Sequence, residues 1–172
     1  MGRVVRISLV GMMLLAFPAP ASAHDHRPPQ ATLRVGGFPW RGRLINLDWV
    51  RRTDDGKCVE RHRRRELIFG SPAPAEVGHY DVRLRLLSPR RPRLRIWSWA
   101  LVDSERKPVG PPEVVSYELE PLSRQGRTLG WEAVFRVTVI QHRYLAVRAR
   151  WPDREGCDET QRILWTHHLR AI

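Results

Sequence analysis

The sequence predicts an all-β protein, an antiparallel β-sandwich of immunoglobulin-like general architecture. Two observations support this fold class. Apolar and polar residues alternate with a period of two along several segments, which is typical of strands with one face in a core and one in water. Clusters of Gly, Pro, Asp and Ser separate these segments at short intervals, as in sandwiches of about eight or nine strands.

The chain begins with a segment that has the features of a cleavable signal peptide, residues 1–23. Arg3 and Arg6 form a positive region, an uncharged stretch over residues 7–17 follows, and Ala-Ser-Ala ends at Ala23. The uncharged stretch of about eleven residues is too short to cross a bilayer core of about 30 Å as a helix. We therefore expect cleavage after Ala23, export to the periplasm or the medium, and no transmembrane segment in the mature chain; an uncleaved anchor is the alternative.

The mature chain divides into an arm and one domain. Residues 24–30 carry charge and prolines without apolar residues, which indicates an extended N-terminal arm. Residues 31–172 have a length typical of a single domain, and we expect one β-sandwich.

The strand candidates follow the arm in order. Tyr80–Leu86 and Trp131–Val139 alternate most clearly, and Leu94–Val102 is apolar on both sides, which predicts a central strand covered on both faces. The other candidates are Leu33–Val35, Leu44–Val50, Glu66–Phe69, Val114–Leu119, Tyr144–Trp151 and Arg162–His167. For the last of these, a helix capped by Asp158 is the alternative.

Cys58 and Cys157 are the only two cysteines. An even number of cysteines in an exported chain predicts a disulfide, and two allow one connectivity. Two free thiols or a redox pair are the alternative, although no CxxC spacing is present.

The protein is strongly basic, with a formal net charge of +12 that falls to +10 when the two leader arginines are removed. Nearly all of this charge is arginine, which reflects either the coding bias of a GC-rich genome at solvated positions or a polyanionic partner. If Arg83, Arg85, Arg93 and Arg95 share one sheet surface, they form a positive patch together with the basic run at residues 61–65. The candidate polyanion-binding residues are Arg61, Arg63, Arg64, Arg65, Arg93 and Arg95.

Seven tryptophans fall mostly inside strand patterns, which predicts that most of them pack in the core. Trp97 and Trp99 are separated by one residue, so both rings lie on the same side of a strand. Exposed rings in that arrangement would form a carbohydrate-stacking platform.

Histidines suggest a metal site at the mature N-terminus. After cleavage, His24 would carry the free amine and His26 would stand at the third position, which is similar to the amino-terminal copper and nickel motif. Further ligands from His142, His167 or His168 are conceivable, and a solvated arm is the alternative.

The sequence contains no GxSxG, HExxH, glycine-rich phosphate loop or CxxC motif that would name a reaction. We therefore expect a non-enzymatic binding or envelope accessory domain without a cofactor, whose partner is a protein, an acidic polymer or the envelope surface, and not a nucleic acid. The alternatives are a Cu(II)-binding protein using His24 and His26, and a hydrolase of an acidic or glycan substrate.

Overall fold

The computed structural model describes residues 28–53, 55–152, 157 and 161–172. The predicted signal peptide and the histidines of the arm, His24 and His26, lie outside these residues. Residues 28–30 precede the first strand without regular secondary structure, and Pro29 is buried.

The described residues form twelve strands and no helix, so none of them could cross a membrane as a helix. The strands are β1 (Ala31–Val35), β2 (Phe38–Arg41), β3 (Arg43–Arg52), β4 (Cys58–Arg63), β5 (Ala73–Ala75), β6 (Gly78–Leu86), β7 (Arg93–Trp99), β8 (Glu113–Val115), β9 (Glu118–Arg124), β10 (Arg127–Val139), β11 (His142–Trp151) and β12 (Gln161–Ala171).

The strands form two sheets that pack face to face, which confirms the all-β sandwich. The smaller sheet has the order β2-β1-β6-β10-β9, and the larger has the order β4-β3-β12-β11-β7-β8 with β5 beside β12. Every pairing is antiparallel except that of β5 with β12.

The core lies between the sheets because each long strand turns one alternate set of side chains inward. In the smaller sheet these are the odd positions of β10 and the even positions of β6; in the larger sheet they are the odd positions of β11 and β12. The fully or almost fully buried members include Val82, Leu84, Leu86, Ala133, Phe135, Leu145, Val147, Ala149, Ile163 and Leu169. Each Val, Leu, Ile and Phe among them contributes about 1.5–3 kcal/mol by leaving water, and each Ala contributes less.

A second apolar cluster lies on the outer face of the larger sheet. Phe69, Trp99, Tyr144 and Ala146 are its buried members, and Leu67, Trp97, Val102 and Leu164 pack against them. This cluster explains why Leu94–Val102 is apolar on both sides. The strand itself ends at Trp99, however, and its neighbour β8 has only three residues, so β7 lies next to an edge and is not central.

Three expectations for single segments are corrected or decided. Val114–Leu119 is not one strand: Glu113–Val115 pairs with β7 in the larger sheet, and Glu118–Arg124 pairs with β10 in the smaller sheet. Glu66–Phe69 is not a strand: Leu67 and Phe69 cover the outer cluster, and the carbonyl of Ile68 accepts a hydrogen bond from Thr166 Oγ1 at 3.0 Å. The helix alternative for the last segment is wrong, because Gln161–Ala171 pairs with β11 over ten residues and with β3 on its other side.

A disulfide joins Cys58, the first residue of β4, to Cys157 in the connection between β11 and β12, with the two Cα atoms 5.9 Å apart. The predicted bridge is therefore present, and no described cysteine is free.

Candidate functional site: an arginine face beside an apolar groove

Arginines occupy matched positions on the outer face of the larger sheet. In one row across the sheet, Arg93 of β7 pairs with Arg150 of β11, and Arg150 pairs with Arg162 of β12. In the next row on the same face, Arg95 of β7 pairs with Arg148 of β11. We call these five residues the arginine face. Opposed residues on antiparallel strands have Cβ atoms about 4.5–5.5 Å apart, and like charges at that distance destabilise a sheet.

One described carboxylate adjoins the arginine face: Asp48 lies opposite Arg162 in the sheet register, and its Oδ1 is hydrogen-bonded to His62. No described carboxylate lies within ion-pair distance of the five guanidinium groups, although other arginines of the chain do form such pairs with described carboxylates. Five arginines beside this carboxylate leave a net positive surface, which is suited to external anions.

Trp97 holds two members of the arginine face in place. The guanidinium carbon of Arg148 lies 5.0 Å from the centroid of the Trp97 ring, and that of Arg95 lies 5.4 Å from it, both within cation–π range. Arg148 is partly buried, and its Nε has no hydrogen-bond partner among the described atoms. Burial, followed by the charges of Arg95, Arg150 and Arg162, lowers the pKa of Arg148.

A groove of about 420 Å³ opens beside these side chains on the same face. Its apolar lining comes from both the sheet and the segments that cover it: Leu67, Trp97, Trp99, Pro112, Ala146 and Leu164. Its polar lining is Asn46, Asp48, Arg148 and Arg162. The register places the row of Arg148 two steps from the row of Trp99, or roughly 13 Å along the strands, so the groove changes from apolar to cationic along its length.

The sequence-predicted basic residues are divided between different surfaces. Arg93 and Arg95 belong to the arginine face, whereas Arg61 and Arg63 pair with the inward-facing Trp49 and Leu47 and therefore lie on the opposite side of the sheet. Arg64 and Arg65 are exposed in the segment after β4; the backbone N–H of Arg65 donates to Asn46 Oδ1 at 3.0 Å, at the border of the groove.

The expectation that Arg83 and Arg85 share a surface with Arg93 and Arg95 is wrong. The chain crosses from the smaller to the larger sheet between β6 and β7, so the two pairs lie on opposite outer faces of the sandwich. Arg83 Nη1 and Arg85 Nε instead bind the buried carboxylate of Glu132 at 2.9 and 2.5 Å. Burial raises the pKa of Glu132, but the hydrogen bonds from Arg85 and Arg83 outweigh it and the net pKa is lowered.

Sequence reasoning missed Arg148, Arg150 and Arg162 as members of the site. A signal for two of them was present, because Arg148 and Arg150 alternate with apolar residues in β11 in the same way as Arg93 and Arg95 do in β7. Only the register between strands shows that these residues face one another.

The two tryptophans proposed as a sugar platform lie on one side of β7, as predicted, but do not present open rings. Arg95 and Arg148 lie over the Trp97 ring, and Trp99 is only 8% exposed and contacts Phe69 edge to face. Among the other tryptophans, Trp49, Trp151 and Trp165 are buried in the core, as expected. Stacking of a carbohydrate on this pair would require the arginines to move away.

Two of the histidines considered as metal ligands meet on the outer face. His142 Nδ1 and His168 Nε2 are 3.0 Å apart, His168 Nδ1 lies 3.3 Å from the carbonyl of Gly70, and Tyr144 stacks on the His168 ring at 4.3 Å. His167 points into the core instead. No group of three or more potential metal ligands occurs among the described side chains.

The arrangement most similar to a catalytic histidine is a bridge at the edge of the groove. His62 Nε2 lies 2.8 Å from Glu60 and its Nδ1 lies 3.1 Å from Asp48, and these hydrogen bonds, that of Glu60 first, raise the pKa of His62. Both ring nitrogens are engaged by carboxylates, so neither is free to take a proton from a substrate. This geometry gives the hydrolase hypothesis no support.

No known protein family, curated protein or solved structure matches this chain. The chemistry of the arginine face and the groove is therefore the basis on which a function can be proposed.

Proposed function

We propose that this protein is an exported, non-enzymatic binding protein whose arginine face binds a partner with several anionic groups, such as an acidic polymer or the envelope surface. The observation that carries the proposal is the register of five arginines in two adjacent rows, with no described carboxylate within ion-pair distance and only Asp48 opposite one of them. Anionic groups above these rows would relieve the repulsion between them.

The chemistry of the side chains favours oxyanions. A guanidinium group presents a planar fork of N–H donors that matches phosphate, sulfate or carboxylate in a bidentate geometry. Stacking on Trp97 restricts Arg95 and Arg148 before the partner arrives, which reduces the entropy lost on binding.

Export is the second part of the proposal. It is supported by the leader-like composition of residues 1–23 and by the Cys58–Cys157 disulfide, which fits an oxidising compartment. The single domain over residues 31–172, its immunoglobulin-like type and a mature N-terminus at His24 belong to the same proposal.

Two sets of substitutions with equal changes of charge test the arginine face. One variant replaces Arg93, Arg95, Arg150 and Arg162 by Ser; the control replaces Arg61, Arg63, Arg64 and Arg65 by Ser. Heparin serves as the polyanion, and affinity is measured over a range of salt concentrations. We expect the first variant to bind about tenfold more weakly or worse, with a shallower salt dependence, and the control to lose much less.

The circular dichroism spectrum and thermal unfolding of both variants show whether the fold is retained. We expect the arginine-face variant to change its melting temperature little, because it loses the repulsion between rows together with the Arg95–Trp97 contact and the cross-strand neighbour of Asp48. Equal losses of heparin affinity in the two variants would show that heparin binding depends only on net charge. A larger loss in the control would show that the residues 61–65 bind heparin and the arginine face does not.

Copper binding by His24 and His26 is the second proposal. It depends on their first and third positions in the predicted mature chain, because a terminal amine and an imidazole at the third residue suit square-planar Cu(II).

A further inference from the structure

The groove and the arginine face form one continuous surface of mixed chemistry. Arg148 and Arg162 belong to both; Leu164 lies opposite Arg148 in the register, and Ala146 and Trp99 follow in the next two rows along the sheet. A volume of about 420 Å³ is within the range of small-molecule sites. The groove is thus large enough for part of a ligand whose charged end lies on the arginines.

The polar atoms of the groove narrow the choice of ligand. Arg148 and Arg162 outnumber the carboxylate of Asp48 in the lining, and a neutral apolar molecule in the groove would remove these charges from water without adding a counter-charge. A small inorganic anion would bind the guanidinium groups but leave the apolar lining in water. Sugar rings would lack open aromatic faces, since Arg95 and Arg148 cover Trp97.

We infer that the site binds an amphipathic anion, with its phosphate or carboxylate group on Arg148 and Arg162 and its apolar chain in the groove along Leu164, Ala146 and Trp99. This inference rests on the proposed function and specifies the partner: the anionic groups that the arginine face binds are headgroups of lipid-like molecules. Phosphate and carboxylate headgroups share this chemistry.

Calorimetric titration of the full chain with a series of soluble alkyl anions tests the inference. The probes are butyl, hexyl and octyl phosphate, with octanoate to compare headgroups. Octanol, which has the chain without the anionic group, and inorganic phosphate, which has the anionic group without a chain, serve as controls. We expect affinity to increase about three- to fourfold for each methylene that enters the groove. Octanol and inorganic phosphate should each bind far more weakly than octyl phosphate, and the ratio of octyl phosphate to octanoate identifies the preferred headgroup.

Two alanine substitutions make a matched pair. Ala146 is 1% exposed and lines the groove, so Ala146→Leu fills the groove without changing charge. Ala100 is exposed outside it and provides the control Ala100→Leu. We expect Ala146→Leu to reduce octyl phosphate affinity at least tenfold, to remove the dependence on chain length, and to leave heparin binding unchanged; Ala100→Leu should change none of these.

Should Ala146→Leu fail to fold, Leu164→Gln serves in its place, because it makes the partly exposed wall of the groove polar. Octyl phosphate that binds no more tightly than inorganic phosphate, or chain-length dependence that survives in the groove variant, would overturn the inference while leaving the heparin result intact. If the arginine-face variant and its control lost heparin affinity to the same extent, the proposed function itself would be overturned.

Discussion

His167 is a buried, uncompensated imidazole. It faces the core from β12, is 5% exposed, and its Nε2 has no hydrogen-bond partner among the described atoms. Burial lowers its pKa to about 4. An unfolded chain takes up this proton near pH 6.5, so between pH 6.5 and about 4 the unfolded state binds more protons than the folded state.

We therefore predict that His167 lowers the free energy of unfolding as the pH falls through this window, by an amount on the order of 3 kcal/mol at its acid end. The substitution His167→Met replaces the ionisable group with an apolar side chain of similar size, and it should make the free energy of unfolding depend less on pH. Urea unfolding of both proteins at pH 7.5, 5.5 and 4.5 measures the effect. Parallel stability curves for the two proteins would show that His167 is not the responsible group.

For single residues, the sequence predicts which side of a strand a side chain faces but not how deeply that side is buried. Alternation in Arg162–His167 places Ile163, Trp165 and His167 on one side of a strand, and all three are inward. Nothing local indicates that the smaller sheet covers that side so completely that the imidazole stays neutral. For the same reason the alternation in β7 and β11 shows that Arg95 and Arg148 both face outward, but not that they lie opposite each other.

The pairing of β6 with β10 depends on a close backbone approach at Gly130. A Cβ atom at this position would lie 2.5 Å from the carbonyl oxygen of Leu86 and 3.3 Å from Leu87 Cα, beside a register irregularity between Thr128 and Gly130. Backbone atoms in a paired strand cannot give way without loss of hydrogen bonds.

We predict that Gly130→Ala destabilises the protein by about 1–3 kcal/mol. Gly70→Ala is the matched control, because a Cβ there meets only the flexible side chain of Arg43, at 3.8 Å. Chemical denaturation at one pH measures both. A Gly130→Ala variant as stable as the Gly70→Ala variant would mean that the strands adjust at no cost.

Elements with a clear two-residue period were predictable, because burial of one face imposes that period on the sequence. Tyr80–Leu86, Trp131–Val139 and Tyr144–Trp151 all became strands close to the expected bounds. The prediction of a strand at Glu66–Phe69 was wrong because a segment that packs across a sheet buries apolar side chains without forming hydrogen bonds to a neighbouring strand. Sheet membership, which separates Arg85 from Arg93, is decided by long-range pairing that no local pattern encodes.

The disulfide acts on the molecule as a whole. It links residues 99 positions apart and ties the edge strand β4 to the connection that leads into β12. Closing a loop of this length restricts the unfolded chain by about 4–5 kcal/mol if loop-closure entropy dominates.

We predict that the double variant Cys58→Ser, Cys157→Ser folds with a free energy of unfolding lower by a few kcal/mol, up to about 5. Denatured, unreduced wild-type protein should contain no thiol that reacts with an alkylating reagent, whereas reduced protein should contain two. Equal stability of the oxidised wild type and the double variant would show that the bridge contributes nothing to the folded state.

The position of β12 has a consequence for how the larger sheet assembles. This strand lies inside the larger sheet, between β11 and β3, and also pairs with β5. Without β12, the strands β4-β3 and β11-β7-β8 are two separate pieces of sheet. Because β3 and β12 are far apart in the sequence, closure of this sheet depends on a non-local contact, and such contacts slow folding relative to a sheet built only of neighbouring hairpins.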